Sequence, residues 1–262
     1  MIVCADDFGL REDIDRAILE LCSVRKLSAV SCMVLFERCS PRVLNSLMAF
    51  RDELDLGLHL CLTEENLGLS ARDGAAPLQF SSYGSCVRSS VRGKVRPEQL
   101  ANEIAAQYRL FASKCGMPPD YIDGHLHIHQ APAVRKALIR FLLSLPEHKR
   151  PYIRNTFLSI KTLRRQKLPW VKAAVIGRFG KEMAARLRSA GLRTNEGFAG
   201  IYDFHRSNLF CKYLPRFADC LEKPTSILVV HPGHSDAWRR SEFEALRDFT
   251  FEPSPRRFAA AA

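Results

Sequence analysis

The stretch MIVCADDFGL, residues 1–10, indicates the fold class and raises a chemical question. An apolar run of strand length ends in two adjacent aspartates, Asp6 and Asp7. Neighbouring carboxylates repel each other unless a cation or a proton lies between them. The stretch therefore predicts a buried strand whose carboxyl end either forms an ordinary turn or binds something positively charged.

Further apolar runs of strand length alternate with segments of helical periodicity, and they lie at residues 29–35, 56–62, 121–129, 152–154 and 226–231. This alternation is typical of parallel β/α units. With no linker or repeat, it predicts one α/β domain over residues 1–262: a distorted, TIM-barrel-like (β/α) barrel of about seven parallel strands. An open doubly wound sheet is the alternative. In either fold, functional side chains gather at the carboxyl ends of the strands.

Three segments stand apart from this alternation. Residues 66–93 are rich in Gly and Ser and predict a long loop, and residues 258–262 predict a frayed tail. Residues 161–193 carry ten Lys or Arg and one acid, so this segment alone contributes nine to the net charge of +11. Apart from a break near Pro169, we expect this basic segment to be mostly helical.

The composition is that of a globular protein with reduced thiols and no membrane span. The chain of 262 residues is 47% hydrophobic and 26% charged, which is ordinary for a globular protein with a sizeable core. Its nine cysteines include no C-x-x-C pair, so we expect reduced thiols and no zinc–thiolate site. No apolar run is long enough for a membrane span, and no basic segment precedes the first strand. We therefore expect a cytoplasmic location.

Six of the eight histidines fall at three of the predicted strand ends. One lies in GLHLCLT, three in the run DGHLHIH and two in HPGH, and with an aspartate they form the set His59, Asp123, His125, His127, His129, His231 and His234. In an extended strand, residues 123, 125, 127 and 129 would share one face. Neutral imidazoles beside a carboxylate make a poor core and a good metal site.

Each motif alone also fits an ordinary turn or a core histidine, but their joint placement at strand ends favours a metal site. A carboxylate with two imidazoles suits Zn²⁺, Mn²⁺, Co²⁺ or Ni²⁺, whereas Mg²⁺ prefers more oxygen ligands. One of the two aspartates would then bind the cation. The other is placed to take a proton from a reacting water.

The motifs ADDFG, GLHLCLT, DGHLHIH and HPGH together resemble the YdjC/ChbG family of carbohydrate deacetylases, distant relatives of the NodB-like polysaccharide deacetylases. The resemblance runs from residue 2 to about residue 234. It implies a distorted (β/α) barrel and metal-dependent removal of an N-acetyl group from an amino sugar. Family members often have serine where this chain has Gly124, a change that leaves the histidine spacing intact.

The resemblance also implies roles for individual residues. One divalent ion, zinc foremost, would be held by Asp7, His59 and His125, with Asp6 as the catalytic base. For the general acid we favour His231, at the end of another strand, over His127. The remaining polar residues of the motifs would contact the substrate or support the site: Asp123, His127, His129 and His234.

The substrate is less constrained. The basic segment mixes cations with apolar residues at helical spacing. We expect it to form one wall of the substrate entrance and to favour a lipid-linked or anionic amino sugar as substrate. The same pattern predicts peripheral contact with the inner membrane surface. Neutralising Arg164, Arg165 and Lys167 should then weaken turnover of the anionic substrate. The alternatives are a soluble chito-oligosaccharide substrate and a helix whose apolar side lies in the core.

Functions of another class are a nucleic-acid-binding protein and a non-catalytic sugar-binding protein. The basic segment has few aromatic residues and no recognised nucleic-acid motif, so nucleic acid is not an expected partner. A non-catalytic relative should have lost a ligand or the base. This sequence retains the candidates Asp6, Asp7, His59 and His125.

Overall fold

The computed structural model describes residues 1–63, 78, 80–158, 170–204, 210–221 and 223–250. Within these ranges the strands are β1 (Ile2–Phe8), β2 (Ala29–Cys32), β3 (Asp55–Leu60), β4 (Tyr121–Gly124), β5 (Tyr152–Ile153), β6 (Phe198–Ala199) and β7 (Ile227–Val230). They form one parallel sheet in the order β5-β4-β3-β2-β1-β7-β6. The sheet curls into an incomplete barrel, which confirms the predicted α/β architecture.

Helices pack around the sheet: α1 (Glu12–Ser23), α2 (Pro41–Met48), α3 (Tyr83–Val91), α4 (Pro97–Cys115), α5 (Pro132–Ser144), α6 (Trp170–Ser189), α7 (Phe210–Asp219) and α8 (Ala237–Asp248). Three of them begin with proline, which is favoured at the first helical position because its fixed φ suits the helix and its missing N–H is not needed. Ser40 caps α2 and Ser82 caps α3 through their side chains. Strand β6 and helix α7 were not predicted from the sequence.

The seam between the two edge strands is closed by side chains more than by backbone. Among the described residues, one isolated parallel bridge joins Ile153 to Thr194. Beyond it, Asn155 donates its backbone N–H to Asn195 Oδ1 at 2.7 Å, and Asn195 Nδ2 donates to the Asn155 carbonyl at 2.9 Å. These buried amides replace ladder hydrogen bonds that β5 and β6 are too short to make.

Strand β1 is irregular at its functional end. Its pairing with β2 shifts register between Ala5 and Phe8, and Asp7 has φ of 71°. Successive residues of a regular strand point to opposite faces, whereas a bulge re-aims one of them. The irregularity therefore lets Asp6 and Asp7 both face the carboxyl end of the barrel.

The barrel interior below that end is polar and tightly packed. Tyr121 shares a 2.8 Å hydrogen bond with Ser31, whose hydroxyl donates to Asp123 Oδ2 at 2.6 Å. The Tyr121 ring lies across Gly57 of β3, where an added Cβ would come within 2.2 Å of the ring. Glycine at position 57 is therefore required by the close approach of this ring.

Gly57→Ala should lower the free energy of unfolding by at least about 1–3 kcal/mol, the usual cost of overpacking a core. Neither the strand nor the buried Tyr121 ring has room to move away from the added methyl. Chemical denaturation measures the change. Gly84→Ala is the matched control, because its Cβ would meet nothing closer than 3.9 Å. Equal stability of the two variants would contradict the packing described.

Part of the predicted loop 66–93 is helical. Residues 83–91 form α3, nucleated by a capping box in which Ser82 and Ser85 each accept from the other's backbone N–H. The Gly and Ser content that predicted a loop instead supplies the helix cap. Residues 64–77 and 79, like the predicted tail 258–262, lie outside the described residues.

The prediction that residues 121–129 form one extended strand is wrong. Strand β4 ends at Gly124, and His125–Gln130 form a 3-10 turn in which Leu126 and His127 have φ of 52° and 58°. The chain folds back on itself: a Cβ at Gly124 would lie 3.1 Å from Nδ1 of His129. Glycine leaves that space open, so the chain can turn back over Gly124. As a result, alternate residues of this motif do not share one strand face.

The described part of the basic segment supports a solvated helix. Its basic residues Lys181, Arg186 and Arg188 are exposed, while Met183 and Leu187 are buried. The residues Arg164, Arg165 and Lys167 lie outside the described residues. Among the helices that the structure describes, none is long and apolar enough to cross a bilayer.

Candidate metal centre and active site

The carboxyl ends of β1, β3 and β4 bring three candidate metal ligands together. Oδ1 of Asp7 lies 3.0 Å from Nδ1 of His125 and 3.5 Å from Nε2 of His59. One ligand atom from each residue lies within 4.8 Å of the others. Asp7 and His59 are buried, whereas the His125 side chain is 14% exposed, so the cluster opens toward solvent on the His125 side.

The orientation of His59 fits a metal ligand. Its Nδ1 donates to Oδ1 of Asp123 at 2.6 Å, which turns Nε2 toward Asp7. A carboxylate behind the imidazole is the usual arrangement for a ligating histidine. Burial lowers the pKa of His59, but Asp123 and Asp6 outweigh it and raise the pKa to about 10. A carboxylate and two imidazoles, one of them held in this way, fit a divalent cation such as zinc.

Asp6 lies beside this cluster but is held by an arginine. Arg154 donates to both carboxylate oxygens, at 2.6 and 2.7 Å, and is fully buried. Oδ2 of Asp6 is 4.0 Å from Nε2 of His59. Burial raises the pKa of Asp6, yet Arg154 and His59 outweigh it and hold the pKa well below its ordinary value. The carboxylate is therefore ionised at neutral pH, as a general base must be.

A second group of possible ligand atoms, formed by Cys4, Asp6 and Asp123, is filled by the same arginine. Nη1 of Arg154 lies 3.5 Å from the Cys4 sulfur, 2.6 Å from Asp6 and 2.8 Å from Asp123. A guanidinium thus supplies the positive charge that these buried acids need. The cluster of Asp7, His59 and His125 is the better candidate for a cation.

His231, at the end of β7, faces Asp6 from the other side. Its Nε2 lies 3.8 Å from Oδ2 of Asp6, and its Nδ1 lies 3.9 Å from Oε1 of Glu242. The backbone N–H of His231 donates to Oε2 of Glu242. Burial lowers the pKa of the His231 ring to about 4, so the ring is neutral at neutral pH.

Glu242 is a buried acid that supports His231. The carboxylate also accepts from the Tyr202 hydroxyl at 2.5 Å, and both residues are at most 1% exposed. Burial raises the pKa of Glu242 from 4.5 to about 7, although hydrogen bonds from His231 and Tyr202 oppose the increase. Glu242 therefore retains its proton in the folded protein over a pH range in which the unfolded chain has lost it.

Glu242→Gln should remove one pH-dependent part of the stability. Between pH 4.5 and about 7, only the unfolded chain ionises at this position, so the wild-type free energy of unfolding falls as pH rises. The fall expected from this group is about 3 kcal/mol. Denaturation of both proteins at pH 4.5, 6 and 8 measures it. A wild-type minus variant difference that stays constant, or grows with pH, would contradict the assignment.

Of the remaining histidines of the motifs, His127 and His129 lie beside the site, whereas His234 does not. His127 is packed against the Phe198 ring at 5.8 Å, and burial and the charge of Arg154 hold its pKa well below the ordinary value. His129 donates from Nε2 to the Arg154 carbonyl at 2.8 Å. His234 lies elsewhere, 3.2 Å from Glu20 and with its ring 4.6 Å from Phe243. The structure therefore does not bring His234 to the cluster.

Three residues of the site were missed by the sequence analysis. Arg154 is the last residue of the predicted strand 152–154, so its position at a strand end was a usable signal. Arg239 donates to Oδ2 of Asp7 at 2.6 Å, and Glu242 supports His231. Both come from α8, and nothing in the spacing of a surface helix indicates that these charges turn inward.

Comparison with known proteins places the chain in a family. The family described as "YdjC-like protein" matches residues 1–254. A crystal structure of a proposed cellobiose-phosphate cleavage protein from Enterococcus faecalis V583 superposes with a TM-score of 0.65 at 20% identity, covering 94% of this chain and 89% of that one. At this identity the likeness concerns the fold alone.

Two relatives carry functional names. A chitooligosaccharide deacetylase of Klebsiella pneumoniae (strain 342) is 33% identical over 132 residues, covering 49% of this chain and 50% of the relative. A carbohydrate deacetylase of Xenopus laevis is 26% identical over 159 residues, covering 59% and 50%. The chain thus spans about half the length of the curated relatives it matches. With its motifs, its barrel and a family match over nearly its whole length, the chain belongs to the YdjC-like protein family.

Proposed function

We propose that this protein is a metal-dependent carbohydrate deacetylase that hydrolyses the N-acetyl group of an amino sugar. The observation that carries the proposal is one cluster of Asp7, His59 and His125, beside an ionised Asp6 and facing a neutral His231. Candidate ligands, base and acid thus lie at one end of the barrel. The names of the relatives support the same reaction class.

Asp7, His59 and His125 would hold the cation, zinc foremost, with manganese, cobalt, nickel or magnesium as alternatives. When bound, a divalent cation supplies Lewis acidity, which activates water and polarises the acetamide carbonyl. Asp123 keeps Nε2 of His59 directed at the cluster, and Arg239 holds the second oxygen of Asp7. These contacts preorganise the ligands.

Asp6 acts as the general base. It takes a proton from water as the water oxygen forms a bond to the carbonyl carbon. Its two hydrogen bonds to Arg154 keep it ionised and oriented before this step. Without that guanidinium, burial beside Asp7 and Asp123 would favour the protonated carboxyl, which cannot serve as a base.

His231 acts as the general acid. Because its ring begins the cycle neutral, a proton must reach it, and Oδ2 of Asp6 lies 3.8 Å from its Nε2. The proton taken from water passes from Asp6 to His231 and then to the departing nitrogen as the C–N bond breaks. The second proton of the water leaves the acetic acid so formed and protonates the released amine. Acetate and the sugar ammonium are the products, so atoms and charge balance.

Among acetylated amino sugars, soluble chito-oligosaccharides are the substrates that the relatives' names favour. A lipid-linked, anionic amino sugar is the second candidate, and the surplus of cations in residues 161–193 supports it. The described part of that segment exposes Lys181, Arg186 and Arg188 and buries Met183 and Leu187. This arrangement gives no support to a membrane contact.

Product analysis tests the proposal. Zinc-loaded protein is incubated with an N-acetylglucosamine oligomer and with a polyprenyl-phosphate-linked N-acetyl-hexosamine, and acetate and primary amine are both quantified. For each substrate that is hydrolysed, acetate and primary amine should be released in equal amounts. The substrate that is deacetylated faster identifies the carrier. A folded, metal-loaded protein that releases no acetate from acetylated amino sugars would refute the proposed reaction.

A further inference from the structure

Two aromatic rings pack against the ring of His231. Phe204, which follows β6, has its ring centroid 5.5 Å from that of His231, and Trp238, near the start of α8, has its centroid 6.0 Å away. The two rings lie 4.5 Å apart with an interplanar angle of 40°. Both are half-buried, whereas Tyr202 behind them is buried. They therefore form a partly open aromatic wall beside His231.

This wall is held in place by the site itself. The Arg239 guanidinium lies 4.4 Å from the Trp238 ring centroid, while its Nη2 donates to Asp7. A guanidinium stacked on an indole is an attractive contact, and it fixes the ring plane. Phe204 in turn packs edge-on against Tyr202 at 4.7 Å. The aromatic wall is thus preorganised by residues already at the active site.

We propose that Phe204 and Trp238 form the binding surface for the pyranose ring of the acetylated amino sugar. The inference rests on the proposed function. The departing nitrogen must come within hydrogen-bond reach of His231, roughly 2.6–3.2 Å. The sugar ring is one covalent bond beyond that nitrogen, so it must lie against the surfaces that border His231.

The chemistry of the wall fits such an occupant. Pyranoses present faces of C–H groups between their hydroxyls, and the negative face of an aromatic ring attracts the positive edge of C–H bonds. Neighbouring Arg239 and Asp7 are already paired with each other, so the aromatic faces contribute shape and apolar contact. The competing occupant is the apolar chain of a lipid carrier, which would fill the same wall without using hydroxyl groups.

The two tryptophans of the sequence make a direct test possible. Trp170→Phe leaves Trp238 as the one tryptophan, so its fluorescence reports the wall, and Asp6→Asn keeps the substrate intact during titration. We expect di-N-acetylchitobiose to change the emission saturably. Phe204→Leu retains the apolar volume but removes the ring, and it should weaken binding about tenfold.

Phe141→Leu is the matched control, since Phe141 also lies half-buried in a ring pair, 5.2 Å from Tyr108 on the outer helices. It should leave the titration unchanged. As a second measurement, Phe204→Leu in the otherwise wild-type chain should raise KM for acetate release more than it lowers kcat. This measurement keeps the inference testable if the combined variant folds poorly.

The outcomes separate this inference from the proposed function. Acetate release without any emission change, and with KM unaffected by Phe204→Leu, overturns the aromatic wall and leaves the reaction standing. A saturable emission change in a protein that releases no acetate supports the wall and refutes the reaction. A response to polyprenyl phosphate but not to the oligosaccharide assigns the wall to a lipid chain and overturns the inference.

Discussion

Asp6→Asn should lower kcat for acetate release by about 10²–10⁴-fold, the typical contribution of a general base. Asparagine has nearly the same shape and still accepts one hydrogen bond from Arg154, but it cannot take a proton from water. Because Asp6 is not among the three clustered candidate ligands, we expect the variant and the wild type alike to bind one metal ion per chain. Single-turnover acetate assays with metal quantification measure both properties.

The two readouts of this variant distinguish base from ligand. If Asp6→Asn loses its metal, then Asp6 belongs to the metal site and the division of roles between the adjacent aspartates is reversed. Unchanged kcat would remove Asp6 from the mechanism altogether. Cys4→Ser is a useful control, since Cys4 also contacts Arg154 but has no part in proton transfer. It should keep most of the activity.

His125→Ala should abolish stoichiometric zinc binding and, with it, turnover. Losing one of three protein ligands costs more than losing an outer partner, which typically lowers metal affinity about 10–100-fold. His125 is the most exposed of the three, and its substitution leaves the His59–Asp123 pair intact, so the fold should survive. Zinc per chain after dialysis, with circular dichroism to confirm folding, measures the effect.

His234→Ala is the matched control for this experiment. His234 also belongs to a predicted histidine motif, but its ring lies against Phe243 and its Nε2 beside Glu20. Its substitution should leave zinc content and kcat within about twofold of wild type, as expected for a residue away from the special features of a fold. Retention of one tightly bound zinc by His125→Ala would move the ligand role to another histidine.

The sequence allowed much of the site to be predicted because parallel strands converge. Asp6 and Asp7, His59 and His231 lie at the ends of apolar runs that pair in one sheet, so their proximity follows from the β/α alternation alone. No knowledge of the loops was needed. The residue types, two imidazoles and a carboxylate, then made the cluster a candidate site for a cation.

The parts that could not be predicted depend on tertiary contacts. Asp7, Leu126 and His127 have positive φ, a conformation that is uncommon for any residue other than glycine, so the residue types alone do not specify it. The turn after β4 follows from the space above Gly124, and the hydrogen bond from His129 to the Arg154 carbonyl adds a contact between distant segments. Such contacts leave no periodic trace in a sequence.

The supporting charges show the same limit. Arg154 lies at a strand end and could have been recognised, but Arg239 and Glu242 turn inward from a helix whose pattern is mainly polar. Their role depends on how α8 packs against β7 and β1. Sequence periodicity predicts which helix face is buried, not which buried charge meets which partner.

Reactivation by zinc is the most direct test of metal-dependent deacetylation at the cluster of Asp7, His59 and His125. The protein is stripped with a chelator, zinc is added back in measured amounts, and acetate release from an N-acetylglucosamine oligomer is recorded at each addition. We expect negligible release from the stripped protein and a linear rise that levels off at one zinc per chain. Full acetate release from protein that contains no divalent metal would contradict it.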